Sequence, residues 1–236
     1  MKQILEFNKV SFSYGDKPLL REISFKVAKG DFVALVGPNG SGKSTLLKLA
    51  LGILKPQQGT VKLFGQDVCR FREWSRVGYV AQRNGHLNPA FPATVEEVIA
   101  LNLYGRVGPF RRLRQCHRNK IKEVLKKFGL EEYSRSRLGN LSGGQQQKVF
   151  IARALMNDPE IVFLDEPATG LDRQTQEQIH ELLGRLNQEM GITLLVITHY
   201  PGLIAHKVNR LFCLENQRLH VHAGTDTGYE ELFHYH

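Results

Sequence analysis

The 236-residue chain is long enough for one substantial hydrophobic core and too short for two full-sized independent domains. Its 42% apolar and 23% charged residues exclude a disordered or fibrous protein, and it has no apolar run long enough to span a bilayer. The net charge of +9 leaves nucleic acid, an anionic membrane surface and simple solubility open as explanations. There is no signal-peptide pattern, and the three cysteines fit reduced thiols, so we expect a cytoplasmic location.

Apolar residues recur with a period of two in two early segments, which predicts antiparallel strands that bury one face. The positions concerned are Leu5, Phe7, Val10, Phe12, Tyr14, Ile23, Phe25 and Val27. The segment Phe32–Val36 is instead continuously apolar, which predicts a strand buried on both faces. A helix is expected over residues 44–54. The chain therefore begins with a small antiparallel β layer, followed by a buried strand, a glycine-rich loop and a helix.

The middle of the chain, residues 86–156, has mostly helical patterns and is expected to form a helical subdomain. Thr94 and Glu97 have the spacing of a capping box. The clearest amphipathic spacing is that of Ile121, Val124, Leu125 and Phe128.

Strand patterns return in the last third of the chain, over residues 161–164, 194–197 and 211–214. Helical patterns separate them, which predicts parallel strands joined by crossover helices. The tail from His220 onward is expected to be irregular. These patterns predict an α/β fold with a core of mostly parallel sheet, an N-terminal antiparallel β layer and the helical subdomain, all in one domain over residues 1–236.

A glycine-rich motif connects the buried strand to the first helix. It consists of Gly37, Pro38, Asn39, Gly40, Ser41, Gly42, Lys43 and Ser44, and it fits the phosphate-binding P-loop of NTPases. Glycines let backbone N–H groups turn toward phosphate oxygens, and the helix N-terminus adds partial positive charge. Lys43 is expected to reach the β- and γ-phosphates of ATP, and the Ser44 hydroxyl to ligate Mg²⁺. The strand and helix that flank the motif argue against an ordinary glycine turn.

Two carboxylates, Asp165 and Glu166, follow the apolar strand predicted over residues 161–164. The strand would deliver both acids to the carboxyl edge of the sheet, where ligands bind in α/β folds. We expect Asp165 to hold Mg²⁺ and Glu166 to polarise the attacking water, because in-line phosphoryl transfer needs a positioned nucleophile. Solvent-facing acids at a strand end are the alternative, and the P-loop argues against it.

The segment from Leu141 to Gln145 reads LSGGQ and resembles the signature sequence of ABC ATPases. Ser142 would cap a helix that begins there, and the serine and two glycine amides would form a second anion site. An ordinary N-cap followed by a flexible glycine pair is the alternative for this segment considered by itself.

The resemblance to the ABC transporter ATPases covers residues 4 to about 215, with the motifs in the family's order. It implies that Tyr14 stacks on adenine, that Gln82 senses the γ-phosphate, ligates Mg²⁺ and faces a membrane subunit, and that His199 is the switch histidine. Thr45, directly after the P-loop, is included among the nucleotide-binding residues. Considered one at a time, Tyr14 could instead be a strand aromatic, Gln82 a polar loop residue and His199 a core histidine.

The same resemblance implies a working homodimer that sandwiches two ATP molecules. One subunit's signature would complete the other's nucleotide site, and Asp172 would communicate across the interface. The signature residues concerned are Ser142, Gly143, Gly144 and Gln145. ATP binding would close the dimer and hydrolysis release it, which would move attached membrane helices.

Three segments resemble more narrowly the ATPases of zinc and manganese importers: residues 82–83, 91–98 and 145–153. ATPases of iron-chelate and cobalamin importers are the nearest competitors. The resemblance implies integral membrane permease subunits, an extracytoplasmic substrate-binding protein and a peripheral position on the cytoplasmic face of the cell membrane.

Two soluble classes are rivals to a transporter subunit: an ABC ATPase acting on DNA, and a partner in iron–sulfur assembly. The first is disfavoured because residues 42–142 contain no coiled-coil heptads, and we expect no nucleic-acid partner.

Two surface features have open explanations. A basic stretch over residues 106–127 is either a solvated face or a contact for anionic headgroups or an acidic partner. The histidines of the tail are either part of a frayed terminus or metal ligands that regulate transport. They are His220, His222, His234 and His236.

Overall fold

The computed structural model describes residues 2–82, 92–108, 112–199, 202, 204 and 206–223. Arg83, Phe91, Arg111, His234 and His236, which figure in the sequence interpretation, lie outside these residues.

The strands are β1 (Gln3–Tyr14), β2 (Lys17–Ala28), β3 (Phe32–Val36), β4 (Gln58–Leu63), β5 (Gln66–Asp67), β6 (Val77–Val80), β7 (Ile161–Asp165), β8 (Thr193–Ile197), β9 (Arg210–Glu215) and β10 (Arg218–Ala223). The α-helices are α1 (Lys43–Ala50), α2 (Val95–Val107), α3 (Gln115–Phe128), α4 (Gly143–Leu155) and α5 (Arg173–Met190). Short 3₁₀ helices cover Trp74–Arg76, Glu131–Tyr133 and Leu138–Asn140.

The strands form two sheets. A four-stranded antiparallel sheet has the order β2-β1-β4-β5, and a six-stranded sheet has the order β10-β9-β3-β8-β7-β6. In the larger sheet five strands are parallel, and β10 pairs antiparallel with β9. The predicted α/β architecture, with a mostly parallel core sheet and an N-terminal antiparallel layer, is therefore confirmed.

The six-stranded sheet lies between two apolar clusters, which explains why its central strands are continuously apolar. On β3, Phe32, Ala34 and Val36 belong to a cluster that includes residues of α2 to α5, while Val33 and Leu35 belong to a cluster with α1 and the antiparallel sheet. All residues of β3, β7 and β8 are buried. A parallel strand packed on both faces needs apolar side chains at odd and even positions alike.

Three helices begin at a polar N-cap that the sequence supplies. Thr94 and Glu97 form the predicted capping box of α2, and Ser142 forms one with Gln145 at α4. The side chain of Asp172 accepts a hydrogen bond from the Thr175 N–H at the start of α5. Such caps satisfy N–H groups that lack a partner within the helix, so these three starting points are well defined.

Helix α1 ends at Ala50, before the predicted end at residue 54. The chain turns at Gly52, which has a φ of +66°; Ile53 is 60% exposed there, while Leu51 and Leu54 are partly buried against the apolar cluster that contains α1. The sequence pattern overestimated the helix because it counted these residues as part of the helical face.

The tail also differs from expectation, since β10 extends to Ala223 and places His220 and His222 in a strand rather than in irregular chain. Strands β4, β5 and β6 were not predicted. The first three residues of β4 are exposed, and β6 contains Gly78, where a Cβ would lie 3.0 Å from the Ala154 carbonyl oxygen. In β4 Val61 and Leu63 alternate with polar residues, but this pattern is too short to predict a strand.

Within the described residues, no helix is both long enough and apolar enough to cross a membrane. The three cysteines, Cys69, Cys116 and Cys213, are free thiols.

A buried histidine on α5 predicts acid sensitivity of the fold. His180 is 1% exposed, and neither ring nitrogen has a hydrogen-bond partner among the described residues. Burial, with a smaller contribution from the positive charge of Lys207, lowers the pKa of His180 from 6.5 to about 4. Because the unfolded imidazole binds a proton that the folded one does not, the free energy of unfolding falls as the pH drops below about 6.5.

We expect His180 to account for a loss of about 2 kcal/mol in the free energy of unfolding between pH 8 and pH 5. Urea unfolding at several pH values would measure it. The variant His180→Leu, which keeps an apolar side chain in the core, should have a correspondingly shallower pH dependence. Equal slopes for both proteins would contradict the assignment.

Candidate functional site

The P-loop connects β3 to α1 and has the backbone that its glycines allow. Gly40 and Gly42 have φ values of +77° and +106°, which L side chains rarely adopt. At Gly37 a Cβ would lie 2.2 Å from the Leu214 carbonyl oxygen of β9. The loop is thus packed against the neighbouring strand at one end and turns sharply before the helix, as a phosphate-binding loop must.

Lys43 is the first residue of α1, and its side chain reaches back along the loop. Its Nζ donates hydrogen bonds to the carbonyl oxygens of Gly37, at 2.8 Å, and Pro38, at 2.9 Å. Burial lowers the pKa of the Lys43 ammonium, while the carboxylates of Glu166 and Asp165 act in the opposite direction. The lysine therefore places its cation inside the loop and close to both acids.

Asp165 ends β7 opposite the start of α1. The Ser44 hydroxyl donates a hydrogen bond of 3.3 Å to Asp165 Oδ1. Burial raises the pKa of the Asp165 carboxyl, and the Ser44 hydrogen bond partly offsets the shift. A buried carboxylate beside a hydroxyl is an oxygen donor set that suits Mg²⁺. A cation bound there would stabilise the carboxylate charge, which burial has removed from water. The residues present fit the ion that the P-loop implies.

Glu166 follows at a strained backbone position and is held by three polar side chains. Gln82 Nε2 donates to Glu166 Oε2 at 2.7 Å, and Thr169 Oγ1 donates to the same oxygen at 3.0 Å. His199 Nε2 lies 2.5 Å from Glu166 Oε1. The φ of Glu166 is +51° and its side chain is 8% exposed. A non-glycine residue in this conformation, fixed by its neighbours, is typical of a functional position.

These groups surround one cleft of about 440 Å³, a size suited to a nucleotide. Tyr14, half exposed, forms one wall, and its hydroxyl is 3.5 Å from Thr45 Oγ1. The lining residues are Tyr14, Leu19, Asn39, Gly40, Gly42, Lys43, Ser44, Thr45, Gln82 and Glu166. The structure thus brings five of the eight predicted P-loop residues together with Tyr14, Gln82 and Glu166, and Asp165 and His199 are attached by hydrogen bonds. Gly37, Pro38 and Ser41 do not line the cleft.

The signature residues do not line this cleft. Ser142 and Gln145 bond to each other at the start of α4, with Gln145 N–H donating to Ser142 Oγ at 3.3 Å. The Cα of Gly144 packs against α5, where a Cβ would lie 2.5 Å from Thr175 Cγ2. Thr175 in turn donates to Asp172 at 2.6 Å, and this hydrogen bond lowers the Asp172 pKa. The signature and Asp172 therefore share a second surface, formed by the starts of α4 and α5.

Two residues of the site were missed by sequence reasoning. Leu19 on β2 contributes to the cleft, and Thr169 orients Glu166. Thr169 follows Glu166 by three residues, the spacing of a β-turn, and its N–H donates to the Glu166 carbonyl oxygen at 3.3 Å, so the turn brings the two side chains together. Leu19 had no detectable signal, since it is one of several apolar residues in a strand.

The family profile of the ABC transporter matches residues 20–169 of the chain. The chain is 45% identical over 219 residues to the zinc uptake system ATP-binding protein ZurA of Listeria monocytogenes, covering 93% of this chain and 85% of that protein. It is 40% identical over 195 residues to the manganese transport system ATP-binding protein MntB of Bacillus subtilis, covering 83% and 76%.

Solved structures agree with the sequence relatives. One is an inward-facing putative metal-chelate type ABC transporter, with a TM-score of 0.82 at 27% identity over 94% of this chain and 84% of that one. Another is a dimeric ATP-binding cassette in a post-hydrolysis state with ADP and Pi, with a TM-score of 0.77 at 29% identity, covering 93% and 98%. With the P-loop, the acidic pair and the signature in one fold, this chain belongs to the ABC transporter family and is an ATP-hydrolysing subunit.

Proposed function

We propose that this chain hydrolyses MgATP to power the import of a divalent metal ion, zinc or manganese, through a membrane permease. The observation that carries the hydrolytic part is the position of Glu166, held by Gln82 and His199 at the cleft that also contains Lys43. The cargo is inferred from relatives named for zinc uptake and manganese transport, each matched over more than three quarters of its length.

In this proposal the P-loop holds the phosphates of ATP, and Tyr14 stacks on the adenine. The amides of the loop and the Lys43 ammonium bind the β- and γ-phosphate oxygens. Ser44, Asp165 and Gln82 hold Mg²⁺, which supplies charge neutralisation of the phosphates when bound. Thr45, beside Tyr14, lies within reach of the same nucleotide.

Glu166 is the proposed base that orients and polarises the attacking water. Its carboxylate is restrained by hydrogen bonds from Gln82 and Thr169, so that it presents a fixed oxygen toward the cleft. His199 contacts the other carboxylate oxygen. In this proposal it is the switch histidine, which links the position of Glu166 to whether a γ-phosphate is present. In-line transfer depends on such positioning more than on covalent chemistry.

A second copy of the chain completes the site. The starts of α4 and α5 offer a serine hydroxyl, glycine amides and a helix N-terminus, which suit the γ-phosphate held by a partner. The contributing residues are Ser142, Gly143, Gly144, Gln145 and Asp172. Their separation from the P-loop cleft within one chain and the dimeric form of a related cassette support this arrangement.

The assembly that follows has two copies of this chain at the cytoplasmic face of a membrane, bound to permease subunits, with an extracytoplasmic substrate-binding protein delivering the metal. Gln82, which contacts Glu166, is the proposed link between permease and hydrolysis. Closure on ATP and release after hydrolysis would shift the permease between conformations.

The proposal is tested by transport in membrane vesicles that contain the chain and its co-purified permease. We expect uptake of zinc or manganese that requires ATP and is lost with Glu166→Gln. The matched control is Glu123→Gln, the same substitution at an exposed position of α3. Uptake of an iron chelate or cobalamin instead would contradict the cargo. Co-purification with soluble assembly proteins or with DNA, and with no permease, would contradict transport itself.

A further inference from the structure

A groove of about 590 Å³ lies between α3, α4 and α5, and it shares no lining residue with the nucleotide cleft. Three cationic side chains line it, one from each helix: Lys127 from α3, Lys148 from α4 and Arg185 from α5. Two carboxylates of α5, Glu177 and Glu181, also line it. Three positive and two negative side chains therefore nearly cancel in formal charge. The electrostatic potential of the groove depends on which of them form ion pairs.

Both carboxylates are engaged by cations that do not line the groove. Glu177 pairs with Arg173 Nε at 3.3 Å, and Glu181 pairs with Lys207 Nζ at 3.0 Å. These pairs offset the negative charge that the two acids contribute to the groove.

The three groove cations have no comparable partners. Within the part of the chain that the structure describes, Lys127, Lys148 and Arg185 have neither an ion pair nor a side-chain hydrogen bond. Three cations facing one concave site raise the local concentration of anions. The groove is therefore electrostatically suited to a ligand that carries more than one negative charge.

The floor of the groove is apolar and the sides carry amides. Phe128 and Leu182, each less than a tenth exposed, line the groove, as do Gln174 and Gln178. Such a surface accommodates a short carbon skeleton, while the amides and cations bind acidic oxygens. A bare inorganic ion would leave the apolar floor without a partner.

We propose that this groove binds a small organic anion with at least two negative charges, either a polycarboxylate or a phosphate ester. The ligand joins three helices, since each supplies one cation. It holds the first half of α4, whose N-cap is the signature serine Ser142, against α5, whose N-cap is Asp172. Its occupancy therefore stabilises one arrangement of the surface assigned above to the partner subunit, although its binding does not depend on that assignment.

The test is isothermal titration calorimetry on the full chain with ADP present to occupy the nucleotide cleft. Tricarballylate and glycerol phosphate are the two probes, and the one that binds more tightly identifies the source of the acidic groups. We expect Lys127→Gln to weaken binding about threefold to tenfold, since one of three partly exposed contacts is removed. Lys122→Gln, an exposed lysine of the same helix that does not line the groove, is the matched control and should leave binding unchanged.

A reverse substitution tests the charge argument separately. Glu177→Gln removes a carboxylate from the groove and should tighten binding of the same probe. Absence of binding by both probes overturns the proposal, as does equal weakening by Lys127→Gln and Lys122→Gln. Unchanged or weaker binding by Glu177→Gln also contradicts it. ATP hydrolysis and dimerisation are measured in parallel, so that a failure here is distinguished from a failure of the proposed function.

Discussion

Glu166→Gln is expected to keep ATP binding, to lose ATP hydrolysis and to accumulate as a nucleotide-bound dimer. The substitution removes the carboxylate that would accept a proton from the attacking water, while it keeps the size and shape of the side chain. Loss of a general base typically lowers a rate by about 10²- to 10⁴-fold. Phosphate release under single-turnover conditions measures the chemical step, and size-exclusion chromatography with MgATP measures the dimer.

The local structure explains why this variant should fold and bind nucleotide. The amide oxygen of the new side chain can accept the hydrogen bonds that Gln82 and Thr169 donate to Oε2 of Glu166. Its NH₂ group would then face His199 Nε2, which accepts a hydrogen bond in the tautomer that carries its proton on Nδ1. The network around residue 166 is therefore retained, and the loss falls on proton transfer.

Two results would contradict this assignment. Wild-type turnover by Glu166→Gln would show that another group activates the water. A variant that is inactive but remains monomeric with MgATP, even beside its permease, would contradict the shared nucleotide site. Glu123→Gln, on the exposed face of α3, should behave as the wild-type protein in both measurements.

The core sheet and the phosphate site could be predicted from sequence because each depends on local patterns. A strand buried on both faces needs apolar residues at consecutive positions, as in β3, in β7 before Asp165 and in β8 after Thr193. The P-loop needs glycines where the backbone takes positive φ, as at Gly40 and Gly42. The position of Asp165 and Glu166 at the carboxyl edge of the sheet follows once β7 is recognised.

Features decided by tertiary contacts could not be predicted in the same way. Strand β4 starts with polar residues and is defined by its pairing with β1, and β6 contains a glycine because the Ala154 carbonyl approaches it. Helix α1 ends just before a turn at Gly52, which has a φ of +66°. Leu19 lines the cleft because β2 packs beside the P-loop. A Cβ built on Gly42 would lie 3.1 Å from Leu19 Cγ. Contacts between residues far apart in sequence leave no periodic signal.

The second largest effect is expected from Lys43→Ala, which should weaken ATP binding by about 100-fold or more. The ammonium is the cation that the structure places inside the P-loop, and each charge-assisted hydrogen bond contributes about 1.5–3 kcal/mol. Two such bonds to phosphate oxygens correspond to at least about 3 kcal/mol, which is more than 100-fold in Kd.

The substitution also removes the hydrogen bonds from Lys43 Nζ to the carbonyl oxygens of Gly37 and Pro38. The loop would lose the restraint that these contacts provide, so part of the lost affinity should come from greater loop mobility. Calorimetric titration with ATP measures the affinity, and hydrogen exchange at the loop amides measures the mobility. Lys122→Ala, which removes the same charge from an exposed position of α3, is the control and should bind ATP normally. Undiminished affinity in Lys43→Ala would show that the loop amides hold the phosphates without the lysine, and the role assigned to its cation would be wrong.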